Sequence, residues 1–293
     1  MEQQPIILVT GANGQVGKSI RKLELSFPQF RFVFASREDL KLHHFGLVEN
    51  FFMGLKPQYC INCAAYTAVD RAESEPDMAF LVNGEAVGNL AAVCRKYNCR
   101  LIHISTDYVF DGKQQKPYTE TDPVAPINVY GRSKLLGEQL CIKEHPDAVI
   151  IRTAWVFSEF GHNFVKTMLR LMAEREEVSV VNDQVGAPTY ATDLARAILT
   201  IVSAPKWVPG VYHYSNAGAI SWYDFAVAIA RLIATRCRVQ AIPSSSYPTP
   251  AKRPHFSLLN CSKIRETYAV PQPGWEDALQ RCLQELDALP EEK

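Results

Sequence analysis

No charge of one sign dominates this chain. Its 31 lysines and arginines are matched by 31 aspartates and glutamates, for a formal net charge of zero, which argues against a nucleic acid or an anionic membrane as the main partner. No apolar stretch approaches the roughly 18 residues that a membrane-spanning helix needs. The opening Met1-Glu2-Gln3-Gln4-Pro5 lacks the basic region and apolar run of a secretory signal. Together these absences predict a soluble, cytoplasmic protein. Internal repeats and low-complexity tracts are also missing, apart from the last few residues. The 293 residues are therefore expected to build one large α/β unit with a smaller lobe.

Nor is there a cysteine framework. The eight cysteines are scattered through apolar segments, the pattern of buried thiols in a reducing compartment. Cys60 and Cys63 have C-x-x-C spacing, but they lie in Tyr59-Cys60-Ile61-Asn62-Cys63-Ala64-Ala65, which reads as a buried strand. Residues three apart on a strand point to opposite faces and cannot chelate one metal.

What the chain does contain is an alternation of strands and helices. Ile6-Ile7-Leu8-Val9 has the apolar, β-branched character of a central parallel strand, and Gly11-Ala12-Asn13-Gly14-Gln15-Val16-Gly17 follows it and opens a helix. A glycine turn in that position lets the backbone of Gly11, Asn13, Gly14, Gln15 and Val16 approach a pyrophosphate at the positive end of the helix. Arg31 to Ala35 reads as a second strand, ending in Ser36-Arg37. The acidic residue that takes the ribose of NAD is missing from that end, and a serine and an arginine suit a 2′-phosphate, so NADPH is expected, with NAD possible. Ala64-Ala65-Tyr66 ends the strand from Tyr59, small enough to pass beneath a cofactor. Leu101 to Ile104, Val149 to Arg152 and Val211 to Tyr214 complete a doubly wound parallel sheet, a Rossmann-like α/β fold. Beyond Trp155 the alternation loosens: Phe164 to Glu177 reads as an amphipathic helix, Thr192 as the cap of the helix Asp193–Val202, and Ser221 to Ala234 as another capped helix. Pro243 to Pro254 is expected to be an ordered loop. Residues 1–155 are then a dinucleotide-binding domain, to which about 190–215 return, and 156–293 mainly a substrate-binding lobe.

Chemistry centres on Tyr130-Gly131-Arg132-Ser133-Lys134. Tyr130 and Lys134, four apart on a helix, share one face. A phenol of pKa about 10 is a poor acid or base at neutrality, and a nearby ammonium favours its ionised form, so Tyr130 is expected to be the proton donor and Lys134 its tuner. Ser105-Thr106-Asp107-Tyr108 stands at the end of the Leu101–Ile104 strand, where ligands bind in open α/β sheets.

With the glycine turn, these segments resemble the extended short-chain dehydrogenases/reductases, in which a hydroxyl residue, a tyrosine and a lysine act as one catalytic group. Within that superfamily the chain is similar to the dTDP-4-dehydrorhamnose reductases over nearly its whole length: Gly14 to Gly17, Ala64 to Asp70 with Ala72 to Pro76, Ser105 to Gly112, Asn128 to Lys134, Arg152 to Trp155, Asn163-Phe164, Asn182 to Thr189, Tyr247 to Ala251 and Arg253-Pro254. The resemblance implies reduction of the 4-keto group of dTDP-4-dehydro-β-L-rhamnose, the last step of dTDP-L-rhamnose synthesis. Thr106 would hold the keto oxygen, Tyr130 would protonate it, and Lys134 would also bind the nicotinamide ribose. Asp39-Leu40 would contact the adenine, and Ser105, Ala64, Ala65 and Tyr66 the rest of the cofactor. Thr67, Val69, Thr106, Tyr108 and Trp155 would line the sugar pocket, with Asn163 and Arg253 toward the nucleotide half of the dTDP-sugar.

Three features separate neighbouring readings. Sugar-nucleotide 4,6-dehydratases carry Thr-Asp-Glu where this chain has Thr106-Asp107-Tyr108, and without the glutamate dehydration lacks its base. Nucleotide-sugar epimerases usually have small residues after the serine. A relative that serves as a regulatory subunit of methionine adenosyltransferase binds NADP without a need for turnover, but Thr106, Tyr130, Lys134 and Trp155 are all intact here. Some family members dimerise around magnesium through carboxylates where this chain has Ser19 and Thr192. No such metal is expected, and monomer and homodimer stay equally open.

Overall fold

The computed structural model describes residues 4–290. From Ile6 the chain runs through β1 (Ile6–Thr10), α1 (Gln15–Leu23), β2 (Arg31–Ala35), α2 (Phe45–Leu55) and β3 (Tyr59–Asn62). Two short helices, α3 (Val69–Ala72) and α4 (Pro76–Phe80), lead through a π-helical turn at Leu81–Glu85 into α5 (Ala86–Lys96), β4 (Arg100–Thr106), α6 (Val129–Glu144) and β5 (Val149–Thr153). Then come β6 (Val156–Phe157), α7 (Phe164–Glu174), β7 (Glu177–Val181), β8 (Val185–Gly186), β9 (Thr189–Tyr190), α8 (Ala191–Ser203), β10 (Gly210–His213), β11 (Ile220–Ser221), α9 (Trp222–Leu232), β12 (Arg238–Ile242), α10 (Ser262–Tyr268) and α11 (Trp275–Glu285).

The main sheet has the order β10-β5-β4-β3-β1-β2, and every pairing in it is parallel. Its strands are apolar on both faces because helices cover both. Ile7, Val9, Ile102, Val149 and Ile151 pack into one core layer with α8 and α10. Leu8, Cys60, Leu101 and Ile150 pack into the other with α2 and α5. After β2 the chain returns to pair β3 on the far side of β1, so the carboxyl ends of β1 and β3 diverge at a topological switch point, where a crevice opens. The second lobe has its own core from α7, β7, α9 and α11 and three two-stranded sheets.

Three boundaries differ from the sequence expectation. β3 ends at Asn62, not at Ala65, because the chain leaves the sheet there to run along the crevice. α7 ends at Glu174, since the residues from Glu177 pair in parallel with β12. Thr192 does not cap α8: the helix starts at Ala191 with Tyr190 at the N-cap position and no capping side chain. The preceding Thr189-Tyr190 is held as a strand against Val156-Phe157, and that pairing sets where the turn falls. Ser221, by contrast, caps α9 in a full capping box with Asp224.

Two glycines fix the close approaches that shape the site. Gly11 has φ +66°, and a Cβ there would lie 2.5 Å from the Ala64 nitrogen; the turn after β1 therefore lies directly against the chain leaving β3. On α6, a Cβ at Gly131 would lie 2.2 Å from the Tyr108 carbonyl oxygen. The expected outcome of Gly131→Ala is a loss of about 1–3 kcal/mol through overpacking, despite alanine's better helix propensity. Urea denaturation checks it, and unchanged stability would show that the helix has room to spare.

Candidate active site

The crevice at the carboxyl edge is an open cleft of about 920 Å³. One end is built from the glycine turn. Gly11, Asn13, Gly14, Gln15 and Val16 line it, and α1 has Gly14 at its N-cap position, no side-chain cap and no acidic residue in its first turn. Its first amide N–H groups are therefore open to an anion. Ser36, Arg37 and Leu40 line the same end, joined by Glu38, Lys41, Leu42 and His43, which sequence reasoning did not single out. Asp39 is not on the cleft wall; its carboxylate accepts the Ser36 N–H at 2.8 Å and closes its own turn. An acidic side chain does stand there after all: Glu38 accepts the Ser36 hydroxyl at 2.8 Å.

The middle of the cleft is walled by Cys63, Ala64, Ala65, Tyr66, Thr67, Val69, Ser105, Thr106, Asp107, Tyr108, Tyr130 and Lys134. Asn83, in the π-helical turn, holds this wall to α6. It accepts from the Tyr66 N–H at 2.8 Å, and it donates to the Tyr66 carbonyl at 2.9 Å and to the Ser133 hydroxyl at 3.0 Å. Asn128 caps α6, accepting the Gly131 N–H at 2.7 Å. One turn beyond Lys134, Glu138 is buried against β4 and β5. It accepts from the Ser105 hydroxyl at 2.5 Å and, bidentately, from Arg152 at 2.9 and 2.7 Å.

Burial decides the proton affinities of this wall. It pushes the Tyr130 phenol up to about 12, with the neighbouring Thr106 hydroxyl lowering it and Asp107 raising it further. The expected depression by Lys134 is absent, because the amine turns inward, donating to the Ile104 carbonyl at 2.6 Å. Lys134 is itself pulled down to about 8 by burial, with Glu138 raising it. Burial also raises Asp107 to about 6, against hydrogen bonds that lower it. Its Oδ1 accepts the Thr106 hydroxyl at 3.0 Å, and its Oδ2 is buried without a partner. In the sequence Asp107 stands out only as part of the Ser105–Tyr108 segment. The signal that finds it is a buried carboxyl on the cleft wall whose proton affinity burial raises, with the Ser257 and Thr106 hydroxyls acting against the rise.

At the far end stands Trp155, a non-glycine residue at φ +48°, with its ring stacked 3.6 Å from Trp222. A left-handed tryptophan costs about 1–2 kcal/mol, which the stacked rings and the Trp155 carbonyl, accepting from Thr189 N–H, offset. Trp222, Gly161 and His162 also line the cleft, and nothing in their local sequence marked them. Two expected nucleotide contacts lie off the wall with their polar groups engaged. Asn163 caps α7, accepting the Lys166 N–H, and donates to Gln15 Oε1 at 3.0 Å and the Ser158 carbonyl at 2.7 Å. Arg253 spends its guanidinium fork on Asp70, at 3.1 and 2.7 Å. Among the described residues no group of three or more His, Cys, Asp or Glu side chains is placed to hold a metal ion, and no helix is long and apolar enough to cross a membrane. Ser19 and Thr192 are buried within the protomer.

A parallel doubly wound sheet with a glycine turn at its switch point and a hydroxyl, a tyrosine and a lysine on one cleft wall defines an extended short-chain dehydrogenase/reductase. The chain belongs within it to the family described as the RmlD substrate binding domain, whose profile matches residues 5–288. It is 43% identical to a dTDP-4-dehydrorhamnose reductase of Burkholderia thailandensis, over 96% of this chain and 98% of that one. Among solved structures it is similar to a dTDP-4-dehydrorhamnose reductase of Clostridium acetobutylicum, with a TM-score of 0.92, 39% identity and coverage of 96% and 99%. A dTDP-4-dehydrorhamnose reductase of Bacillus anthracis, solved in complex with NADP, has a TM-score of 0.93, 37% identity and coverage of 97% and 100%.

The buried Glu138–Arg152 pair gives a stability prediction. Replacing Arg152 by Leu strands a carboxylate and is expected to cost about 3–5 kcal/mol, most of it recovered when Glu138 is also made Leu. Urea denaturation of both variants checks this, and a single-variant loss below about 1 kcal/mol would contradict the view of the pair as fully desolvated.

Proposed function

We propose that this chain reduces the 4-keto group of dTDP-4-dehydro-β-L-rhamnose to give dTDP-L-rhamnose, using NADPH. The observation that carries the reading is the continuity of one cleft, from the uncapped start of α1 to the Thr106, Asp107, Tyr130 and Lys134 wall. The names of relatives similar over nearly the whole chain support the substrate, and the NADP complex of the Bacillus anthracis protein supports the coenzyme.

The residues present fit a dinucleotide. Gly11 presses so close to Ala64 that any Cβ would collide, leaving the backbone of Gly11 to Val16 free to meet a pyrophosphate. Arg37 would take a 2′-phosphate, joined by Ser36 once its hydroxyl leaves Glu38, with Leu40 for the adenine and Ala64, Ala65, Tyr66 and Ser105 for the remaining length. Lys134, whose amine already donates to the Ile104 carbonyl, would hold the nicotinamide ribose with a remaining N–H. NADPH, when bound, supplies the hydride.

The protein's own part is to meet the negative charge that grows on the keto oxygen. Tyr130 keeps its proton throughout the neutral range because burial raises the phenol to about 12, and an alkoxide, a far stronger base, takes it. Thr106 steadies the same oxygen by turning its one hydroxyl hydrogen from Asp107 Oδ1 toward it. Until the substrate arrives, Asp107 orients Thr106 by accepting its hydroxyl hydrogen. Thr67, Val69, Tyr108 and the Trp155–Trp222 stack wall the sugar subsite, with an apolar plate suited to a deoxysugar.

The test is turnover of dTDP-4-dehydrorhamnose with NADPH or NADH, followed by nicotinamide absorbance; no oxidation with either coenzyme refutes the reading. Tyr130→Phe is expected to retain dinucleotide binding but lose at least ~10²-fold in rate. An undiminished rate would remove Tyr130 as the donor. The rate is also expected to fall below about pH 6, as Asp107 gains a proton, and above about pH 8, as Lys134 loses one. A flat profile from about pH 5 to about pH 9, roughly one unit beyond each limb, would contradict both roles.

A further inference from the structure

Behind Lys134 the polar contacts continue through the sheet. Its amine faces His103 Nε2 at 3.4 Å. His103 Nδ1 lies 3.1 Å from Asn62 Nδ2, and Asn62 Oδ1 accepts from the Thr10 hydroxyl at 2.7 Å and the Ala64 N–H at 3.2 Å. Thr10, Asn62 and His103 are register partners on β1, β3 and β4, and all three side chains are buried, as is Lys134. The row therefore crosses three strands and ends at the cleft.

Its hydrogen positions follow from one group that has no choice. The Ala64 backbone nitrogen can only donate, so the Asn62 atom it meets is the oxygen, and the Asn62 nitrogen must face His103. That nitrogen donates, so Nδ1 accepts through its lone pair. A neutral imidazole then carries its hydrogen on Nε2, the atom facing Lys134. The ring is neutral because burial and the Lys134 charge hold it well below the usual histidine range.

We propose that His103 is a positioning residue for Lys134. Asn62 and Thr10 lock it as the Nε2–H tautomer, and it thereby turns an N–H toward the amine and lowers the amine's proton affinity. The other groups around Lys134 act in known directions. Burial pulls it down, while Glu138, Cys141 and Cys63 pull it up, and the Ile104 carbonyl accepts from it. His103 adds to the lowering side through a dipole that is fixed in place. In the reductase, and resting on that reading, the same dipole sets the alkaline limit of the working range.

Two measurements on the protein alone test this, with no substrate or dinucleotide present. Long-range 1H–15N spectra of labelled protein, assigned by loss of the signal in His103→Gln, are expected to show His103 protonated on Nε2. Protonation on Nδ1 overturns the proposal whether or not any variant folds. The second measurement follows the 13C shift of the Lys134 ε-carbon with pH. The charge-neutral His103→Gln lets an amide oxygen face the amine and is expected to raise its proton affinity at least tenfold. A titration left in place or shifted down overturns the proposal. A third readout, turnover with the ketosugar and NADPH added, also bears on it: a variant whose rate drops at every pH without its alkaline limb moving up overturns the proposal, since that is the mark of a merely structural role. Failure of the reductase reading would appear instead as a wild-type protein without turnover, with both spectra as expected.

Discussion

The site depends on how α6 is fastened to the sheet. Tyr130, Lys134 and Glu138 are spaced by four, so one helical face carries the phenol, the amine and the carboxylate in sequence. Only the carboxylate is tied down at both ends, by Ser105 of β4 and by both donors of Arg152 on β5. Burying an ion pair gains little by itself, because desolvation consumes most of the Coulomb attraction. What it does here is geometric. A carboxylate of that depth has no acceptable partner but Arg152 and Ser105, so the rotation of α6 about its axis is set, and with it the direction of Tyr130. The glycine at 131 then brings the helix against Tyr108, closing the distance that the ion pair has aimed.

The two lobes are joined through Gln15, which lines the cleft, and through Asp70 and Asn128, which stand close in the chain to residues that do. Gln15, in the glycine turn, accepts from Ser158 at 2.8 Å and from Asn163 at 3.0 Å and donates to the Val156 carbonyl at 3.3 Å. Asp70 receives Arg253 and the Ala251 N–H. Asn128 caps the catalytic helix with its oxygen and donates to the Lys252 carbonyl with its nitrogen. Gln15 and Asn128 thus each serve two ends at once, Gln15 on the cleft wall and Asn128 at the start of the helix that carries Tyr130. This explains why the Pro243 to Pro254 segment is an ordered strap rather than a linker.

Legibility in the sequence followed the range of the interaction. The apolar run of β1, the glycine turn and the Tyr130–Lys134 spacing are local signals, and the structure puts all of them on one cleft. Arg253 and Asn163 were assigned to the nucleotide for their chemistry, but that chemistry is also what an internal latch requires. The partner that claims Arg253 lies 183 residues away, where no periodicity can announce it. Trp222 was invisible for the same reason: its position at the start of α9 reads only as a helix beginning, and its stacking on Trp155 is a product of lobe docking. Thr192 failed as a cap because pairing of Thr189-Tyr190 with β6 overrode the local preference of a threonine.

The electrostatics revise the simplest picture of a tyrosine–lysine pair. If Lys134 served to ionise Tyr130, its amine would point at the phenol and the phenol would be depressed. Instead the amine is held inward by a carbonyl, and burial raises the phenol. For a reduction this is the useful sense. The donor must arrive protonated at a site where charge develops on the substrate, and a phenol with high proton affinity stays loaded until an alkoxide appears. The cost of desolvation that raises Tyr130 also weakens Lys134 and Asp107 as charges. One cause, the desolvation of these groups where α6 packs on the sheet edge, thus keeps the acid loaded and brings the amine and the carboxyl toward neutrality, where their charges can change within the working range.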